Sequence, residues 1–91
     1  MAKIRVALVD DHQLVRDGLK SILSSIGDVE VVGEASDGHA AIKLCANFAI
    51  DVVIMDIAMS GLNGLDATKR ITEKHPATNV LILSMYDSEE Y

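Results

Sequence analysis

Three carboxylates and one hydroxyl stand where apolar runs end. Asp10 and Asp11 follow Ile4 to Val9 (IRVALV), Asp56 follows Val52 to Met55 (VVIM), and Ser84 follows Val80 to Leu83 (VLIL). If these runs are parallel strands of one sheet, all four side chains leave it at the same edge and converge. Carboxylates packed that closely repel one another, and a hard divalent cation with oxygen ligands is the usual resolution. Mg²⁺ suits the set, because it takes a few carboxylates and keeps several waters, leaving positions for phosphoryl oxygens. A carboxylate directly after a buried strand is rigidly aimed. Asp56 can then act as a nucleophile toward phosphorus, with the Ser84 hydroxyl donating to a phosphoryl oxygen.

Plainer roles compete at several of these positions. Asp11, just ahead of His12 and Gln13, equally fits a helix cap. Ser84 equally fits the start of a turn. Asp56 has less of an alternative, since a glycine-containing loop, IAMSGLNG, follows it rather than a helix. His12 has no second His or Cys beside it and reads as a first-turn helix residue. Cys45 falls in an apolar helical stripe and reads as core. Gly61 and Gly64 lack the Lys-Ser or Lys-Thr of a Walker phosphate loop and serve the backbone.

The elements that must position these groups alternate along the chain without repeats or linkers. After the first strand, Leu14, Val15, Leu19, Ile22, Leu23 and Ile26 recur at helical spacing, and Gly27 and Asp28 end that helix. Val29 to Ala35 (VEVVGEA) reads as a second strand, and its interleaved Glu30 and Glu34 suit a position near the sheet edge. Ser36 or Asp37 can cap a second helix with the stripe Ala41, Leu44, Cys45 and Phe48. The third strand, Val52 to Met55, is apolar on both faces. Leu65, Thr68 and Ile71 mark a third helix that stops before Pro76, ahead of the fourth strand. This βαβαβαβ order predicts an α/β fold, a parallel sheet covered by helices on both faces, with ligands at the carboxyl ends of its strands.

Composition sets outer limits. Ninety-one residues make one small domain, and the 49% hydrophobic content with only two Tyr, one Phe and no Trp requires an aliphatic core. A net charge of −6, with eight scattered Lys and Arg, offers no footprint for nucleic acid. One Cys cannot form an intramolecular disulfide, the opening MAKIRVALVDD turns acidic too early for a signal peptide, and no apolar run is long enough for a membrane span. A cytoplasmic location is the expectation.

The segments VALVDDHQLVRDGL, VVGEASDG, VVIMDIAMSGLNGLDAT and VLILSMYDSEEY, in that order and across essentially the whole chain, resemble the receiver domain of NarL/FixJ (LuxR-type) response regulators. The resemblance implies a doubly wound, flavodoxin/CheY-like sheet of strand order 2-1-3-4. By it Asp10 and Asp11 match the acidic pair that holds Mg²⁺, Asp56 the phosphoacceptor, and Ser84 the residue that reports phosphorylation. It also makes the backbone carbonyl of Ala58 a metal ligand, and a sensor histidine kinase the phosphoryl donor. Such a domain accepts a phosphoryl group rather than turning over as an enzyme, and in its parent protein controls a DNA-binding domain and transcription. A haloacid-dehalogenase-type phosphohydrolase would want a second Asp two residues after Asp56, where Ala58 stands.

Two departures from the family pattern matter. Met59-Ser60 replaces the common Met-Pro. The family's fifth strand, with its Lys and aromatic switch residue, its last helix and the DNA-binding helix-turn-helix lie past Tyr91. Residues 1–91 are therefore read as a receiver incomplete at its C-terminus, without the DNA-binding domain. Strand four, apolar on both faces, becomes an unprotected edge, so self-association through it is expected. An alternative function is a non-phosphorylated pseudo-receiver that acts by dimerisation.

Overall fold

The computed structural model describes residues 3–56 and 64–83. Seven elements follow in strict alternation: β1 (Ile4–Val9), α1 (Gln13–Ser24), β2 (Val29–Ala35), α2 (Gly38–Asn47), β3 (Val52–Asp56), α3 (Gly64–Lys74) and β4 (Asn79–Leu83). The strands form one sheet in the order β2-β1-β3-β4, and every pairing is parallel. The expected α/β class and the 2-1-3-4 order are both observed. Parallel pairing follows from the helical crossovers, which return each strand to the same end of the sheet.

Side chains alternate across the pleat, so each central strand feeds two faces. Ala7 and Val9 of β1 with Val53 and Met55 of β3 pack against Ala41 and Cys45 of α2 and Ala67 and Ile71 of α3. The alanines let these helices approach closely. On the other face Val6 and Leu8 are buried beneath α1, which packs on β1 and β2. Val52 and Ile54 on that face are only half-buried.

The register between β1 and β2 steps from Val6↔Val31 to Ala7↔Gly33, making Val32 an extra residue in the edge strand. Gly33 is where α2 presses on β2: a Cβ there would lie 2.6 Å from Leu44 Cδ2, so only glycine fits that contact as it stands. Glu30 is exposed, as an edge strand requires.

Several sequence expectations need correction. The first helix ends at Ser24, so Ile26 lies beyond it in the turn to β2. Its apolar stripe splits into two rows: Val15, Leu19 and Leu23 are half-buried against the sheet, while Leu14 is 84% and Ile22 63% exposed. Phe48 is the C-terminal cap residue of α2 and is exposed rather than packed. On α3 the buried face is Gly64, Ala67 and Ile71, and Leu65 points to solvent. On α3 a pattern of larger side chains cannot reveal a helix that docks through Gly64 and Ala67.

Candidate functional site

Asp10 and Asp56 continue from the two central strands and are almost completely buried, at 2% and 3% exposure. Asp56 is the last residue of β3, held in register with Leu83 of β4, and Asp10 is tied to β2 by its backbone N–H, which donates to the Ala35 carbonyl at 3.1 Å. Neither backbone position can shift without unzipping a strand. Asp11, one residue further on, is exposed. Asp10, Asp11, His12 and Asp56 each offer a donor atom, and these four atoms lie within 4.8 Å of one another. Three of the predicted site residues thus come together at the carboxyl edge of the sheet. Ser84 and Ala58 lie outside the described residues, as do Met59 and Ser60.

Asp11 does not cap α1. The cap position belongs to His12, whose side chain makes no capping hydrogen bond. The turn is made instead by Asp10, whose Oδ1 accepts from the His12 backbone N–H at 2.8 Å, a side-chain-to-backbone link two residues ahead that Asp favours. Asp10 Oδ1 and Asp11 Oδ1 each lie 2.9 Å from His12 Nδ1. The hydrogen bond to Asp10 and then the charge of Asp11 raise the His12 pKa above its ordinary value. His12 is the site residue that the sequence reading did not assign. Its place immediately after the acidic pair was the available signal.

The other oxygen of the Asp10 carboxylate, Oδ2, is buried without a hydrogen-bond partner among the described residues. A buried, unsatisfied carboxylate oxygen is costly, and a cation at the cluster would satisfy it. Beside the cluster, Arg16 of α1 donates through its guanidinium to the Asp10 carbonyl and through Nε to Glu34 Oε1 at 3.1 Å. Lys20 donates to Glu34 Oε2 at 2.8 Å. These contacts fasten α1 to β2 next to the acidic edge. The donor set, oxygen-rich and anionic, fits a hard divalent cation such as Mg²⁺.

A parallel 2-1-3-4 sheet with an acidic cluster at its carboxyl edge defines a receiver-type fold. The chain belongs to the response regulator receiver domain family, which matches residues 6–91. It is 42% identical over 89 residues to the transcriptional regulatory protein DegU of Brevibacillus brevis, covering 98% of this chain and 38% of that protein. It is 46% identical over 83 residues to the response regulator UvrY of Escherichia coli K12, covering 91% of this chain and 38% of that protein. The chain thus spans about two fifths of the length of these relatives. Among solved structures, the signal receiver domain of NarL from Mycobacterium tuberculosis superposes with a TM-score of 0.90 at 38% identity, over 99% of this chain and 73% of that one. The receiver of Thermotoga maritima CheB gives 0.86 at 43% identity, over 90% and 60%. The chain is accordingly the receiver domain of a two-component response regulator. Receiver domains of this family interact with histidine kinases, and among the described residues no helix is long and apolar enough to cross a membrane.

Proposed function

We propose that this receiver accepts a phosphoryl group on Asp56 from a sensor histidine kinase, in a cytoplasmic regulator whose output is a DNA-binding domain controlling transcription. The observation that carries the reading is the burial of Asp56 beside Asp10, with Asp11 and the orphaned Asp10 Oδ2 at the same edge. An Asp56 carboxylate oxygen attacks the phosphorus of phosphohistidine in line, the new O–P bond forms as the N–P bond breaks, and the imidazole leaves. Asp10, Asp11, Asp56 and the Ala58 carbonyl would hold Mg²⁺. When bound, that ion neutralises charge on the phosphoryl oxygens. The strands aim Asp56, Ser84 donates its hydroxyl to a phosphoryl oxygen, and the domain serves as an acceptor rather than a turnover enzyme. Incubation with acetyl phosphate should label the chain only when Mg²⁺ is present, and labelling should vanish in Asp56→Asn. Label that persists in Asp56→Asn would sink the assignment.

A further inference from the structure

Arg16 of α1 divides its guanidinium between two targets. Nε donates to Glu34 Oε1 on β2 at 3.1 Å, while Nη1 donates to the Asp10 carbonyl at the acidic edge. Only 13% of its side chain is exposed. Holding α1 on β2 does not require the second contact, because Lys20, one turn further along the same helix, reaches the other oxygen of Glu34 at 2.8 Å. What the second contact grips is the peptide that joins Asp10 to Asp11. Asp10 is still attached to the sheet through its N–H on the Ala35 carbonyl at 3.1 Å, whereas the register of β1 with β2 ends at Val9↔Ala35 and Asp11 is exposed beyond it. A peptide is planar, so fixing the direction of the Asp10 carbonyl fixes where the next Cα starts and, with it, the reach of the Asp11 carboxylate.

We propose that Arg16 is a positioning residue of the acidic site: its guanidinium, held by Glu34, locks the Asp10–Asp11 peptide and so keeps Asp11 gathered with Asp10 and Asp56. The donor atoms of these three carboxylates lie within 4.8 Å of one another. The inference rests on the reading of them as a cation-assisted phosphoacceptor site. Two supports then build that site, the sheet for Asp10 and Asp56 and a helix-borne clamp for Asp11. Arg presents its N–H donors in a rigid planar fork and reaches two acceptors in fixed directions, which the compact ammonium of Lys does not. Its charge alone works the other way. A guanidinium beside the cluster repels an incoming cation, so a purely electrostatic Arg16 would weaken the site that a positioning Arg16 assembles.

Calorimetric Mg²⁺ titration of the whole chain and three variants tests this. Arg16→Lys keeps the charge and loses the fork, and Arg16→Gln loses both. Lys20→Gln loosens the same tie between helix and strand without touching the Asp10 carbonyl. The Mg²⁺ dissociation constant should rise about tenfold in both Arg16 variants, the scale on which residues behind metal ligands act, and stay within about twofold in Lys20→Gln. Urea unfolding run alongside should show some loss of stability in all three, so that affinity and stability separate at Lys20. The backbone amide nitrogen resonance of Asp11, which senses hydrogen bonding at the preceding carbonyl, should move in both Arg16 variants and stay in place in Lys20→Gln, with or without Mg²⁺. Unchanged affinity in Arg16→Lys, tighter binding in Arg16→Gln, or an equal loss in Lys20→Gln would overturn the positioning role and leave the cation site standing. Failure of the unsubstituted chain to bind Mg²⁺ would overturn the cation-site reading together with it.

Discussion

The two faces of the sheet are closed by different means. Toward α2 and α3 the closure is packing: Val53, Met55, Ala41, Ala67 and Ile71 are all at 0% exposure in one continuous cluster. Toward α1, Leu8 is equally buried, but no residue of α1 itself is. What ties that helix down beside the site is charge, through Arg16 and Lys20 on Glu34 and Arg16 on the Asp10 carbonyl. The carboxylate edge therefore has a rigid side and an adjustable one. Asp56 belongs to the rigid side, at the end of a strand whose Val53 and Met55 are locked in the packed cluster. Asp11 and His12 belong to the adjustable side, where the chain turns into α1.

The comparison breaks most visibly in stability. Ile71→Ala empties space in the closed layer and should cost about 2–5 kcal/mol, the range for removing a buried Ile side chain. Leu14→Ala removes a similar side chain from the open face, where 84% of the residue already meets solvent, and should change stability by no more than about 0.5 kcal/mol. Urea unfolding of the two variants measures both. Equal losses would mean that the α1 face is covered in solution, and the contrast between packing and charge would fall.

That contrast also explains what could be read in the sequence. The strands were legible almost to the residue, because apolar runs such as VALV and VVIM end abruptly in Asp, and a parallel sheet fixes which edge those Asp residues share. The carboxylate site followed from that placement alone. Less legible was how each helix meets the sheet. Gly64, Ala67 and Gly33 mark close approach through the smallness of their side chains, and nothing in a pattern of large apolar residues announces it. On α1 the pattern was right about amphipathicity and wrong about its consequence, since Leu14 and Ile22 belong to the apolar side and yet stay in solvent. His12 escaped assignment for a third reason. Its role depends on a turn in which Asp10, and not Asp11, captures the backbone N–H, and that choice is made by geometry rather than residue type.

The smallest effect is expected in the charged tie, where pH can separate it from packing. The hydrogen bond from Lys20, followed among the favourable contacts by that from Arg16, lowers the Glu34 pKa below its ordinary value, against the opposing effect of burial. A carboxylate whose folded-state pKa is depressed contributes stability above its unfolded pKa and loses it as pH falls through the folded one. Lys20, raised first by the same hydrogen bond, belongs to the same pair and would release it only at strongly alkaline pH. In Glu34→Gln the charge is gone at every pH. The unsubstituted chain should accordingly be the more stable of the two near neutrality, by less than the Ile71→Ala loss, and the difference should close as pH falls below the ordinary carboxylate range. Added salt should shrink it as well, since the Lys20 end of the contact is open to solvent. Paired urea titrations across the acid range, at low and high salt, read this directly. A difference that stayed constant with pH would assign the contribution of Glu34 to shape rather than charge, and α1 would then be held to β2 by the same kind of contact as α2 and α3 on the opposite face.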